Sequence, residues 1–206
     1  MPVPAFLFLA LTLALAGMAA ASQAAARDWY SLRGVPPPQG SKVYVCHGYS
    51  CRIVTPVTLN GTDVDRIAAK LKGSGDAAAE RAALSHAVQV FETIVGKRIG
   101  TDADLPGMQF GQGTPDQMDC LDEATNTTSL LKLLAAHGRL RHHAVGEPSA
   151  RGFFLDGRYP HATAVLVETA SSEKWAIDSW PRANAEPPVI QPLTEWKRSR
   201  SGDLPS

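Results

Sequence analysis

Asp119-Cys120-Leu121-Asp122-Glu123-Ala124-Thr125-Asn126-Thr127-Thr128-Ser129-Leu130-Leu131-Lys132-Leu133-Leu134-Ala135-Ala136-His137-Gly138 reads as one helix with a cysteine in its first turn. Leu121, Ala124, Leu130, Leu131, Leu133 and Leu134 recur at helical spacing and give it an apolar stripe. Asp119 offers the short acceptor side chain an N-cap needs, and Gly138 is a residue at which such helices stop. Upstream, residues 62–95 are Ala-rich with the same spacing, broken at Gly73-Ser74-Gly75 into two helices. In the second, Ala83, Ala87, Val90, Phe91 and Ile94 share a face, while His86 is expected to point to solvent or pack. Residues 96–115 form a Gly/Asp/Pro loop of the kind that borders sites. Downstream the period falls to two: residues 141–145, 153–155, 161–168 and 175–180 are short strand-like runs, with Asp156-Gly157 and Ser171-Ser172 as turns. Helices first and antiparallel strands after make an α+β chain.

Residues 5–17 are nearly all Ala, Leu and Phe, and small residues ending in Ala24-Ala25-Ala26 follow, so residues 1–26 are expected to be a signal peptide. Met1-Pro2-Val3-Pro4 carries no Lys or Arg, and the apolar run only reaches the lower end of the ~17–25 residues that span a bilayer; an uncleaved anchor is the competing reading. The Ala-rich leader points to a bacterial chain, periplasmic or secreted, in a disulfide-permissive compartment. Residues 27–61 then form a surface arm, with Pro36-Pro37-Pro38 and with Trp29 and Tyr30 expected to pin it, and a hairpin in which Cys46 and Cys51 are close enough to bond. A metal reading of Cys46, His47 and Cys51 lacks a further ligand and the usual spacing, and His142-His143 would point to opposite faces of a strand. No metal and no cofactor is expected. Residues 62–196 form the main domain and residues 197–206 a frayed tail. With 20 basic and 20 acidic side chains, no net field recruits nucleic acid or an anionic membrane.

That pairing leaves Cys120 as an odd thiol at a helix N-terminus, where unpaired N–H groups favour a thiolate. Asp116, Asp119, Asp122 and Glu123 oppose it, so a protonated histidine has to outweigh them. His161, in Tyr159-Pro160-His161-Ala162-Thr163, and Asp178, in Trp175-Ala176-Ile177-Asp178-Ser179-Trp180, complete the order of a thiol triad. If their strands pair antiparallel, any register that joins odd-numbered to even-numbered residues puts both on one face. For the oxyanion donor the candidates are the Cys120 N–H and the side-chain amides of Gln117 and Gln112. Trp180 is a core or cleft-wall ring with peptide binding as its alternative role. A redox reading lacks a resolving cysteine near Cys120.

Asp119-Cys120 opening a Leu-rich helix that ends at Ala136-His137-Gly138, His161 leading Ala162-Thr163-Ala164-Val165-Leu166-Val167, and Trp175–Trp180 resemble the transglutaminase-like superfamily, in particular its bacterial, exported cysteine-peptidase-like branch. Ile190-Gln191-Pro192-Leu193 with Trp196 resembles its closing segment, and the likeness covers about residues 116–196. The resemblance implies a papain-like core in which a helix presents the Cys against a small antiparallel sheet. It implies Cys120 as nucleophile, His161 as base and then acid, and Asp178 as the orienting residue. The expected activity is hydrolysis, or transfer, of an amide of a peptide, protein or cell-wall peptide. A non-catalytic envelope module binding a peptide or partner is the alternative. The N-terminal hairpin matches nothing in that family.

Overall fold

The computed structural model describes residues 29–107, 114–152 and 160–199. The expected signal peptide, the 153–155 strand, the Asp156-Gly157 turn and residues 200–206 lie outside them. The architecture is α+β, with every paired strand antiparallel. Among the described residues no helix is long and apolar enough to cross a membrane.

Helix α1, Gly61–Ile67, opens on Asn60, which accepts from Asp63 N while the Asp63 carboxylate accepts from Asn60 N. A short 3-10 turn, Ala69–Leu71, follows. Helix α2, Ala77–Ile99, starts at the N-cap Asp76 and buries Ala83, Leu84, Ala87, Val88, Phe91, Ile94 and Val95, with Val90 at the margin. His86 is exposed. The helix runs past the expected end at Val95 because Gly96 is a packing contact rather than a stop. A Cβ there would lie 3.1 Å from the Asp102 backbone and 3.2 Å from Asn184 Nδ2. Gly100, with φ 82°, is the terminator.

Helix α3, Cys120–Ala136, runs through the centre. Asp119 Oδ1 accepts from Leu121 N and Asp122 N, each at 3.0 Å, and Asp122 Oδ2 accepts from Asp119 N, closing a capping box. The helix buries Leu130, Leu131, Leu133 and Leu134, and also the polar run Thr125 to Ser129. Such burial is tolerable only with partners. Thr125 and Thr128 hydroxyls donate back to Leu121 O and Ala124 O. Asn126 accepts from Cys46 N and donates to Cys46 O, each at 2.8 Å.

On one side of α3 lies the hairpin of β1, Lys42–His47, and β2, Ile53–Thr58. Cys46 and Cys51 are bonded as a disulfide across its loop. His47 is held by Pro115 O and Thr55 Oγ1, so its ring nitrogens serve the fold. On the other side lies a five-stranded sheet of β3 His143–Val145, β4 Ser149–Arg151, β5 His161–Glu168, β6 Lys174–Asp178 and β7 Val189–Pro192. Its order is β3-β5-β6-β7, with β4 also pairing β5. Helix α4, Leu193–Arg198, closes the chain.

Ala162, Ala164 and Leu166 of β5 face α3 and α2, whereas Val165, with Ala176 of β6, packs under Leu193 and Trp196. Both faces of β5 are covered, so its first six residues are all buried and it shows no polar alternation. Val43, Val45, Val57 and Leu59 of the hairpin share one apolar cluster with α2, α3 and the sheet. The core therefore crosses the boundary expected at residue 61. Residues 197 and 198 belong to α4 rather than to a frayed tail, because fully buried Trp196 anchors that helix from below.

Candidate active site

Cys120 is the first residue of α3, and its Sγ lies 3.9 Å from Pro160 O. The Ala162 N–H reaches the same sulfur. The thiol thus rests on the backbone on either side of His161, at the point where β5 begins. It packs with Ala124, Ala162 and Trp180.

The β5–β6 register joins Ala164 to Ile177 and Val165 to Ala176, pairing odd with even numbers. His161 and Asp178 therefore share a face, as the parity argument requires. His161 Nε2 is 2.6 Å from Asp178 Oδ2, with the two side chains 1% and 2% exposed. A carboxylate only accepts, so Nε2 carries the proton and Nδ1 the free lone pair. Among the described residues this buried Nδ1 has no hydrogen-bond partner, and the Cys120 thiol donates to Pro160 O instead. The Trp196 indole N–H donates to Asp178 Oδ2 at 2.7 Å, fixing the carboxylate from the α4 side. Trp180 and Trp196 flank the imidazole, with ring centroids 4.6 and 5.3 Å away. Trp180 is only 4% exposed, so its ring contacts His161 and Cys120 rather than offering an open face.

The electrostatics around the sulfur are unfavourable to a thiolate. Burial first, then the charge of Asp119, push the Cys120 thiol up to about 12, against the Ala162 N–H that lowers it. Asp122, on the next turn face, is itself pushed up to about 7 by burial and by Asp119, despite accepting from Tyr49 N, Cys51 N and Asp119 N. Behind the helix, burial raises Glu92 and Asp104 to about 7 and also holds Glu123 well above the usual carboxylate range. A nearby cation would favour the thiolate against these charges.

Of the oxyanion candidates, Gln117 is committed elsewhere. Its amide donates to Ala103 O and Asp116 O and accepts from Leu105 N, tying the 103–105 turn to the approach of α3. Gln112 lies outside the described residues. The Cys120 N–H stands at a helix position that has no intrahelical acceptor. A cavity of about 460 Å³ is lined by Val145, Gly146, Val165, Lys174 and Lys197 and includes none of the three triad candidates.

Three supports hold the site; the loop and Trp196 escaped the sequence reading, whereas Trp29 and Tyr30 were the residues expected to pin the arm. The Gly48–Cys51 loop, with φ of 74°, 71°, 55° and 55°, turns successive N–H groups toward α3: Gly48 N donates to Gln117 O, Tyr49 N and Cys51 N to Asp122, and Ser50 N to Asp119. The arm lies along α3, with Trp29 Nε1 donating to Thr125 Oγ1 at 3.1 Å and Tyr30 OH at 3.0 Å from Ser129 Oγ. Trp196 holds Asp178. The signal for the arm's docking site was the polar run Thr125 to Ser129 in a helix too apolar to be exposed, which demanded partners from elsewhere. No family model matches this chain, and no curated protein and no solved structure matches it.

Proposed function

We propose that the chain is an exported cysteine hydrolase on a transglutaminase-like, papain-like core, cleaving an amide of a peptide, protein or cell-wall peptide through a Cys120 thioester. The observation that carries this reading is the buried His161–Asp178 pair at 2.6 Å, with the Cys120 thiol set against the backbone of Pro160 and Ala162 on either side of that histidine. Nδ1 takes the Sγ proton, and the thiolate attacks the carbonyl carbon. The resulting oxyanion is received by the Cys120 N–H at the positive end of α3. The imidazolium returns its proton to the leaving amine as the C–N bond breaks. Water, deprotonated by the same nitrogen, then cleaves the thioester. An amine in place of water makes the reaction a transfer. Asp178, fixed by Trp196, keeps the proton on Nε2 and supports the imidazolium. The Cys46–Cys51 bridge suits a periplasmic or secreted location.

A second reading, a non-catalytic module that binds a peptide or partner, is favoured by the 8% exposure of Cys120 and by the acidic surroundings that push its thiol up. Alkylation of Cys120 across pH 5–9, read by peptide mass spectrometry, separates the two. Rapid labelling at low pH that His161→Ala abolishes supports the hydrolase, because an ion-paired thiolate reacts well below the ordinary thiol range of about 8.5. Labelling with an ordinary thiol profile, unchanged in His161→Ala, supports the binding module. Turnover of a peptide library that survives Cys120→Ala would sink the thioester mechanism.

A further inference from the structure

The acids around Cys120 come from its own helix, Asp119, Asp122 and Glu123, and from β6, Asp178. The loop before α3 adds Asp116 and β5 contributes His161. Among the described residues two guanidinium groups approach this group: Arg151 of β4, paired in register with His161 and lying 4.6 Å over the Trp196 ring on the Asp178 side, and Arg33 of the N-terminal arm on the Cys120 side. Arg33 lays its guanidinium over the Trp29 ring, with Cζ 3.3 Å from the ring centroid, and Nη1 donates to Trp29 O at 2.9 Å. Trp29 in turn packs against the cluster of Cys120, Ala124, Ala162 and Trp180, and its indole N–H is anchored on Thr125. The guanidinium is thereby fixed on a ring that packs against the cluster holding the sulfur. Its Nε is buried without a hydrogen-bond partner, and no carboxylate lies within ion-pair distance of Arg33 among the described residues.

From this stack we infer that Arg33 is a positioning residue for the proposed reaction: fixed on Trp29, it supplies a positive field that favours the Cys120 thiolate against the opposing charge of Asp119. The inference rests on Cys120 being the nucleophile. A guanidinium keeps its proton at every accessible pH, so the field is independent of the His161 protonation state. Half-burial weakens solvent screening of that field. Consistently, burial lowers the Arg33 guanidinium while Asp119 and the Cys120 sulfur pull it back up. A lysine at 33 keeps the charge without the planar stack, and glutamine removes the charge. The arm then has a role in the chemistry: it carries the counter-charge that α3 itself lacks.

The test is the rate of Cys120 alkylation by iodoacetamide from pH 5 to 10 on the full chain, for wild type, Arg33→Gln, Arg33→Lys and His161→Ala, each checked for native far- and near-UV circular dichroism. Arg33→Gln is expected to move the labelling curve up by about one pH unit, a roughly 10-fold slower rate at pH 6 with the same plateau at high pH. Arg33→Lys is expected to stay within about 3-fold of wild type at pH 6. A glutamine curve superimposed on wild type overturns the inference. So does an equal loss at every pH, which reports access to the sulfur rather than its charge, or a lysine variant as slow as glutamine. The hydrolase reading fails by a different sign, an ordinary wild-type curve indifferent to His161→Ala, and that result leaves the glutamine comparison to be read on its own.

Discussion

Asp178 Oδ2 receives two N–H donors within 2.7 Å, one from His161 and one from Trp196, and this double engagement decides what substitutions there do. Asparagine at 178 with its amide oxygen in the Oδ2 place still accepts from both the Trp196 indole and the imidazole, so the tautomer is kept while the negative charge is lost. In the proposed mechanism that charge is what supports the imidazolium. Asp178→Asn is expected to lower turnover by about 10²- to 10⁴-fold with the fold retained, measured by steady-state kinetics beside a thermal melt. Asp119 supplies the complementary case. It caps α3, anchors Ser50 and is the charge that most opposes the thiolate. Asp119→Asn keeps an N-cap acceptor while removing the charge, so Cys120 alkylation at pH 7 is expected to speed up. Asp119→Ala removes both and is expected to cost about 1–2 kcal/mol in urea unfolding. Equal labelling rates in Asp119→Asn and wild type would show that the charge is screened.

Among the elements, those whose instructions are local were legible in the sequence, and those made by contact were not. Helix α3 was marked by its own Asp119 cap and Gly138 stop, and β5 by an unbroken β-rich run whose expected and observed bounds coincide. The order Cys120, His161, Asp178 was readable from residue type, whereas parity only allowed His161 and Asp178 to share a face, and the β5–β6 register decides it. The three-residue β4, Ser-Ala-Arg, has no pattern of its own and exists because β5 has a free edge. The continuation of α2 past Gly96 and of α4 past Trp196 depends on Asn184 and on the sheet, which only the folded chain supplies. The docking of the disulfide hairpin was likewise invisible, since it rests on backbone N–H groups of a left-handed loop meeting Asp119 and Asp122. That loop gives its own prediction. The bridge closes a ring with a sequence separation of only 5, so its entropic contribution is small, about 2 kcal/mol. Reduction, or Cys46→Ser with Cys51→Ser, is expected to lower the melting temperature by several degrees. It is also expected to loosen the grip on Asp122, seen as faster amide exchange at Tyr49 and Cys51. Unchanged exchange at these amides would show that the α3 contacts hold the loop without the bridge.

For the molecule as a whole, the buried carboxyl groups set how stability responds to pH. Burial holds Glu92 and Asp104 up at about 7, Asp122 reaches about 7 through burial and Asp119, and Glu123 is held well above the usual carboxylate range. Each binds its proton more tightly folded than unfolded, where a carboxyl titrates near 4. Their contribution is therefore fully present below about pH 4 and is lost as pH rises through about 7. Two other carboxylates oppose this. The Arg98 guanidinium holds Asp63 low, and Glu80 is held low against the effect of burial by the Arg141 and His142 N–H groups and by His143. Their contribution is present above the unfolded value and is lost as pH falls below it. The two sets together place maximum stability on the acid side of neutrality, at about pH 5, with a decline toward pH 8. Glu92 isolates one share of that decline, since its Oε1 has no partner while Oε2 accepts from Ala185 N at 2.8 Å. Glutamine can keep that acceptor and has no proton to lose. Glu92→Gln is expected to reduce the stability difference between pH 5 and pH 8 by on the order of 2–3 kcal/mol, measured by urea unfolding at both pH values. A variant that reproduces the wild-type pH dependence would mean that Glu92 reaches water at pH 8 and that the decline belongs to Glu123 and its neighbours.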